Sequence, residues 1–223
     1  MSSLMRFQYV IGGELRFLSH LDLVRTFERA LRRAHIPVAL TEGFHPKPKL
    51  SFACPLAVGI TSQAEYGDVV LADGLHPQEF ACRLNQVFPQ GLRIVRAGTT
   101  AAKIPALMAV VNGAEYSIEL VGDTIPAAVE HIKAAKELLV ERTTKNGTRL
   151  VDLRPLIFAL EAAEGELVLR CAVGAAGNLR PDELLHLLGT EPGDALVERT
   201  GLFIRSGDSW LDPMDGIEVT YGN

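Results

Sequence analysis

The sequence has few cysteines, and their spacing excludes several kinds of site. Cys54, Cys82 and Cys171 are the three present, and they are far apart with no CxxC pair. Such spacing supplies neither a disulfide framework nor a cysteine zinc site. It also excludes the closely spaced thiolates that hold the iron–sulfur cluster of a radical S-adenosylmethionine (radical SAM) enzyme. We therefore expect reduced thiols, no metal site and no cofactor.

Long apolar runs are also missing. No stretch approaches the roughly 18 apolar residues of a membrane span, and the N-terminal MSSLMRFQYV lacks the apolar centre of a signal peptide. Because 48% of the 223 residues are hydrophobic, the chain has enough apolar side chains for one large domain or two small ones. We expect a globular cytoplasmic protein that does not contact membranes.

The order of predicted elements in the first half is β-α-β-β-α-β. Alternating strand-forming residues, apolar residues at helical spacing, and turn residues between them define these segments. Strands at residues 6–11, 50–60, 64–71 and 92–96 and helices at residues 20–35 and 77–88 give this order, and a further short strand is predicted at residues 37–40.

The same order returns in the second half after a small, polar, proline-containing linker. Strands are predicted at residues 108–120, 150–160, 167–173 and 195–205, helices at 127–139 and 181–188, and a further strand in the tail at 217–220. We therefore predict an α+β protein of two ferredoxin-like domains with antiparallel sheets. The predicted division is residues 1–98, a linker at 99–107, and residues 108–223.

The first predicted helix has two chemically different faces. Ser19 and Asp22 form a capping pair, Leu18 and Leu23 form a hydrophobic staple, and Pro37 ends the helix. One face is apolar, and the other carries Arg25, Arg29, Arg32 and Arg33. Such a face is either a solvated surface with its arginines paired to Asp22 or Glu28, or a site for an anion.

The charge distribution favours an anion at this face. Residues 1–60 contain eight Lys or Arg and four Asp or Glu, a balance of +4, whereas the whole chain is at −5, so residues 61–223 carry −9. A basic segment on an acidic protein indicates a local anionic ligand. The predicted cations of the site are Arg16, Arg25, Arg29, Arg32, Arg33, Lys47 and Lys49.

The loop at residues 41–49 combines groups that bind nucleic acid. Phe44 offers a ring for stacking, His45 a donor, and Lys47 and Lys49 charges for phosphate. The alternative is an ordered hairpin loop whose Phe44 packs inward. An open sheet face would add a second surface, where Phe7 and Tyr9 are the stacking candidates, one of them expected to point inward.

Two histidines raise the possibility of catalysis. If His20 and His45 met in space, they would form an acid–base pair for metal-independent cleavage of RNA. For His20 the alternative is a ring tucked against the core. Glu42, Glu65 and Asp68 are expected to pair with the basic cluster or to join a metal site with a histidine. In the second half, Asp152 and Arg154 are expected to pair with each other at the domain interface.

Several segments resemble the bacterial family of radical-SAM-linked proteins, a conserved domain of unknown function. They are RFLSHLDLVRTFERALRR, PVALTEGFHPKP, LSFACPLAVGITSQAEYGDVVL, and later VDLRP and GNLRP. The resemblance covers most of the chain. It implies a partner rather than a reaction, namely a radical SAM protein with a cobalamin-binding-type region, encoded beside the family member or fused to it.

These observations predict a non-catalytic accessory protein. Its basic N-terminal surface would hold an RNA, either transfer or ribosomal, for the radical SAM partner, with arginines on phosphates and Phe44 stacked on a base. The alternatives are an endoribonuclease using His20 and His45, and a surface that docks on the acidic face of the partner protein.

Overall fold

The computed structural model describes residues 3–100, 104–120, 125–144, 147–163, 165–175 and 177–222. The chain divides into two compact units, which are described separately. The first consists of residues 1–111 and 201–223, and the second of residues 112–200. The predicted division assigned the tail to the second half, whereas contacts place residues 201–223 in the first unit.

The first unit is an α+β structure and contains most of the strands and helices predicted for the first half of the chain. Its elements in chain order are β1 (Ser3–Ile11), α1 (His20–Arg33), β2 (Leu50–Phe52), β3 (Thr61–Leu71), α2 (Pro77–Asn85), β4 (Leu92–Thr100) and the single turn α3 (Leu107–Val110). A strand near the C-terminus, β12 (Val219–Tyr221), joins this sheet, whose order is β12-β4-β1-β3. β2 also pairs with β3, and the pairings of β1 with β3, β1 with β4, β12 with β4 and β2 with β3 are antiparallel.

The second unit has its own sheet and a separate hairpin. Its elements are β5 (Gly113–Glu119), α4 (Ile125–Ala134), β6 (Leu139–Thr144), β7 (Gly147–Asp152), β8 (Ile157–Ala163), β9 (Glu166–Ala172) and α5 (Pro181–Leu187). β10 (Leu196–Ser206) begins in this unit and continues into the first. The order here is β10-β5-β9-β8, and β6 and β7 form a separate two-stranded sheet. β11 (Ser209–Leu211) and β12 (Val219–Tyr221) belong to the first unit.

Several predicted segments differ from the observed ones. Residues 37–40 form isolated bridges rather than a strand, and only Leu50–Phe52 of the predicted strand 50–60 is extended and paired. The predicted helix 127–139 ends at Ala134, because the chain then turns into β6, which the prediction missed. Of the predicted linker, residues 99–100 continue β4, Leu107 begins α3, and residues 101–103 lie outside the described residues.

The core of the first unit is aromatic and lies between its sheet and the helices α1 and α2. The Phe7 ring stands 5.6 Å from the Phe27 ring of α1 and 5.6 Å from the Phe80 ring of α2. It also lies over Gly67 on β3, where a Cβ atom would come within 2.4 Å of the Phe7 ring. Only glycine therefore allows the ring to lie flat on its neighbouring strand.

No helix in the described part of the chain has the length and apolar character needed to span a bilayer.

Candidate nucleic-acid interface

Helix α1 carries most of the predicted arginines, and a side-chain cap fixes its start. Ser19 Oγ accepts a hydrogen bond from the Asp22 amide at 3.2 Å and donates to Asp22 Oδ2 at 2.7 Å. This hydrogen bond to the carboxylate lowers the pKa of Asp22, with further lowering from the Arg25 hydrogen bond and from the charges of Arg25 and Arg29. The predicted cap and the predicted helix start at His20 are both confirmed.

The apolar face of α1 is anchored through one ring. Phe27 is buried, and its ring lies 5.0–5.6 Å from those of Tyr9, Phe7, Phe52 and Phe88. Such a cluster of stacked and edge-on rings fixes the rotation of the helix about its own axis. The opposite face therefore points to water, and the residues exposed on it include Arg25, Arg29, Arg32 and Arg33.

Little of this positive charge is neutralised within the chain. Arg25 forms a salt bridge of 3.2 Å with Asp22, and both side chains are exposed. Among the residues that the structure describes, no carboxylate lies within salt-bridge distance of Arg29, Arg32, Arg33, Lys47 or Lys49. The expected pairing with Asp22 thus forms at Arg25 and leaves the other cations to solvent.

The loop at residues 41–48 lies next to the C-terminal end of β3 and is closed by two hydrogen bonds between its own residues. The Thr41 amide donates to Lys47 O at 2.8 Å, and the Lys47 amide donates to Thr41 Oγ1 at 3.0 Å. On either side of the loop, Ala39 N donates to Val70 O, and Val70 N donates to Lys49 O. Both ends of the loop are therefore fixed to β3 by hydrogen bonds.

Phe44 stands at the tip of this loop with its side chain fully exposed. The alternative in which the ring packs inward is wrong. His45 and Lys47 are exposed beside it, and Gly43 adopts φ +120°, a conformation that residues with side chains rarely enter. The loop thus presents an aromatic ring and cations on one short segment.

Arg16 and His20 lie at the other end of α1, near the loop at residues 55–60. Arg16 is half-buried, its carbonyl accepts from Gly59 N at 2.7 Å, and its guanidinium stands 4.8 Å from the centre of the exposed Phe17 ring. The His20 ring is edge-on to buried Phe52 at 5.8 Å. His20 thus packs against the core, as its non-catalytic alternative expected.

The geometry gives little support to a catalytic histidine pair. His20 rests on Phe52, whereas His45 lies beyond the Thr41–Lys47 closure at the exposed tip of the loop. No hydrogen bond or ring contact joins the two imidazoles in the described part of the chain. Acid–base catalysis needs both groups within hydrogen-bond reach of one substrate bond.

Arg6 is not part of the basic surface, although it counts toward the positive balance of residues 1–60. Its Nε and Nη2 donate to the two carboxylate oxygens of Asp68 at 2.8 and 2.9 Å, and both side chains are buried. The same guanidinium donates to Pro213 O at 2.9 Å and to Pro105 O at 3.1 Å. Asp68 is therefore engaged by Arg6 rather than by the exposed arginines.

The two residues of the sheet that were predicted to stack on bases are not accessible to them. Phe7 and Tyr9 are two residues apart, so both point to the helix-covered face, and both are buried. The expectation that only one of them points inward is wrong. On the opposite face, the carbonyl groups of Pro105 and Pro213 cover Arg6.

Sequence reasoning missed a polar cluster on that opposite face. Arg96 donates to Gln8 Oε1, to Asp212 Oδ2 and, at 3.1 Å, to the hydroxyl of Tyr66. Burial and the nearby Asp212 charge raise the pKa of Tyr66. Asp212 is 116 residues from Arg96 along the chain, so no local pattern signals the pair.

Two of the remaining predicted acids, Glu65 and Asp152, have structural partners. Buried Glu65 accepts from Ser62 Oγ at 2.8 Å, and Glu42 is exposed in the loop. The predicted Asp152–Arg154 pair is replaced by backbone contacts. Asp152 Oδ1 accepts from the amides of Leu138 and Arg154, while the Arg154 guanidinium donates to Ala135 O and Ile157 O.

The described residues contain no group of three or more histidine, cysteine or acidic side chains that could hold a metal ion.

One family model matches residues 5–181. This range contains the basic segment, helices α1, α2 and α3, and most of the second unit. The chain belongs to the family of uncharacterised proteins conserved in bacteria, DUF2344. The match contains every residue of the candidate interface and ends at Pro181, before β10 and the tail. This confirms the predicted bacterial conserved domain of unknown function, while the link to radical SAM proteins stays a prediction. No curated protein matches the chain.

Proposed function

We propose that this DUF2344 protein binds RNA through a basic surface on its first unit. The surface consists of Arg16, Arg25, Arg29, Arg32, Arg33, Lys47 and Lys49, with Phe44 and His45 at the loop tip. The observation that carries the proposal is the exposed arginine face of α1, whose charge is largely unneutralised within the described residues. Arginines three or four residues apart on one helix, such as Arg25, Arg29 and Arg33, repel one another, so their spacing does not stabilise the helix.

Arginine suits this role better than a positive charge without its planar geometry would. The planar guanidinium donates two parallel hydrogen bonds to phosphate oxygens, which makes it the preferred residue for nucleic-acid backbones. Four arginines lie within the last nine residues of α1, so about 12 Å of helix presents them. This spacing places several guanidinium groups within reach of one stretch of phosphates.

The test is direct binding of labelled RNA to the full chain at several salt concentrations. Changing Arg25, Arg29 and Arg32 together to alanine should weaken binding and flatten its salt dependence. Each lost phosphate contact on single-stranded RNA removes about 0.7 from the slope of log K against log salt, so three contacts remove about two. Alanine is the best helix former, so these changes should leave α1 folded.

A matched control removes the same charge elsewhere. Arg93, Lys136 and Arg149 are exposed cations outside the proposed surface, and changing all three to alanine should leave the salt slope at its original value. Equal loss in the two triple variants would mean that net charge alone drives binding. Unchanged binding in the Arg25, Arg29 and Arg32 variant would refute the proposal.

The enzyme that would act on the bound RNA is a further part of the proposal. The resemblance noted above implies a radical SAM partner, and we propose that the protein presents RNA to that enzyme without catalysis of its own. If such a partner still co-purified after nuclease treatment and the protein did not bind RNA, the result would instead favour a protein-docking surface. RNA cleavage that is lost in His45→Ala would favour the nuclease alternative.

We also infer a ferredoxin-like architecture for each unit. The order β4-β1-β3-β2 in the first unit and β10-β5-β9-β8 in the second supports this inference, because each places the first strand between the third and fourth of a βαββαβ series. The β6–β7 hairpin is then an addition to the second unit.

A further inference from the structure

Phe44 is the most exposed large apolar side chain of the described residues. A phenylalanine ring that stays in water forgoes the stabilisation of about 2 kcal/mol or more that burial would give it. Phe44 is fully exposed and is not a member of the buried aromatic cluster around Phe27, so the fold of the first unit does not depend on this ring. Its exposure therefore requires an explanation outside the folding of the chain.

The loop that carries Phe44 is ordered before any ligand arrives. Two hydrogen bonds between Thr41 and Lys47 close it, and an isolated bridge between Leu40 and Pro48 extends the closure. Pro46 and Pro48 restrict the backbone further, so little conformational entropy remains to be lost on binding. The ring is thus held away from the protein surface by a preorganised support.

Charges beside the ring indicate the kind of partner. Lys47 and Lys49 are exposed two residues apart, and the arginines at the C-terminal end of α1 belong to the same unit. An aromatic ring flanked by cations matches a nucleotide, whose base stacks on the ring while its phosphates meet the ammonium groups. An apolar pocket of a protein partner would have no use for the flanking ammonium groups.

The ring also distinguishes paired from unpaired RNA. In a continuous duplex each base face is already covered by its neighbours, so a side chain can stack only on a base that has left the helix. We propose that the loop at residues 41–48 binds an unpaired nucleotide by stacking on Phe44. The ligand of this surface is therefore RNA with a single-stranded segment rather than a continuous duplex. This inference rests on the proposed RNA-binding function.

The experiment compares two RNA ligands and three variants of the full chain. One ligand is an RNA hairpin with a fluorescent purine analogue in its unpaired loop, and the other is a blunt duplex of the same stem. Phe44→Leu keeps an apolar side chain without the aromatic face, and Phe44→Trp restores an aromatic face. Tyr221→Leu is the matched control, because Tyr221 is an exposed aromatic residue elsewhere in the first unit.

Phe44→Leu should weaken hairpin binding about fivefold to a hundredfold, the range measured for loss of one base–aromatic stack. Phe44→Trp should keep the wild-type affinity for the hairpin and quench the fluorescence of the purine analogue. Tyr221→Leu should leave the hairpin affinity unchanged, and none of the three variants should change the duplex affinity.

The failure of this inference is distinguishable from failure of the proposed function. If the hairpin binds with a salt-dependent affinity that Phe44→Leu leaves unchanged, or if the duplex binds more tightly than the hairpin, the unpaired-nucleotide site is refuted while phosphate binding stands. If neither RNA binds, both proposals are wrong.

Discussion

The buried pair of Arg6 and Asp68 allows a sharp test against the exposed pair of Arg25 and Asp22. Both pairs join an arginine to an aspartate, but the side chains of the first pair are 4% and 7% exposed and those of the second 65% and 49%. Arg6→Ala leaves a buried carboxylate without its cation. It also removes the guanidinium that donates hydrogen bonds to the backbone carbonyl groups of Pro213 and Pro105. Arg25→Ala leaves an exposed carboxylate that water solvates.

The expected losses of unfolding free energy for the two variants differ by about an order of magnitude. Removing one partner of a buried, hydrogen-bonded pair costs about 3–5 kcal/mol, whereas loss of an exposed helical pair costs about 0.5 kcal/mol or less. With a urea m-value of about 2 kcal/mol per M, Arg6→Ala should lower the unfolding midpoint by roughly 2 M, and Arg25→Ala by no more than about 0.3 M.

The assay is urea unfolding followed by tryptophan fluorescence. Trp210 is the single tryptophan of the chain and belongs to the first unit, where its ring lies edge-on to Phe203 at 5.4 Å. The signal therefore reports the unit that contains both ion pairs. Similar, small midpoint shifts for Arg6→Ala and Arg25→Ala would refute the reasoning, because they would mean that water reaches the Arg6 guanidinium.

Three further predictions concern other parts of the chain. Gly67→Ala should lower the free energy of unfolding by about 1–3 kcal/mol, because the new methyl group overlaps the phenylalanine ring above it, whereas Gly74→Ala, where a Cβ meets open space, should change thermal stability little. Burial raises the pKa of Tyr66, so the neutral phenol favours the folded state and stability falls as pH rises above the ordinary tyrosine pKa of about 10; Tyr66→Phe should remove this part of the alkaline loss, measured by unfolding at several pH values, and an unchanged pH dependence would contradict the assignment. Arg142→Ala should destabilise the second unit by about 1–3 kcal/mol, since the side chain holds the Glu183 carboxylate through two hydrogen bonds, whereas the exposed cross-strand neighbour Arg149 should tolerate alanine; equal melting temperatures for these two arginine variants would contradict this prediction.

Local signals in the sequence were sufficient for α1. The Ser19–Asp22 cap and the apolar spacing through Phe27 are properties of neighbouring residues, and both predicted the helix start and its buried face correctly. The exposure of the arginines followed from the same spacing. By contrast, the strand at residues 50–60 was overestimated, because apolar residues such as Leu56 and Ile60 pack onto the core from a loop.

Contacts between distant residues were not predictable from local pattern. Nothing near Arg6 indicates that its partner is Asp68, or that carbonyl groups from residues 105 and 213 complete its hydrogen bonds. The exposure of Phe44 was also open, because the same loop sequence allows the ring to face inward or outward. The structure settles the question, because the Phe44 side chain is fully exposed at the tip of the closed loop.

The division of the chain into units has a consequence for how the protein is made. The first unit needs residues 201–223, which supply the β12 neighbour of β4 and a carbonyl for Arg6. A ribosome delivers these residues only after the whole second unit has been translated. The N-terminal part must therefore wait with an uncovered strand edge and an incompletely bonded guanidinium, and chaperone contact during synthesis should concentrate there.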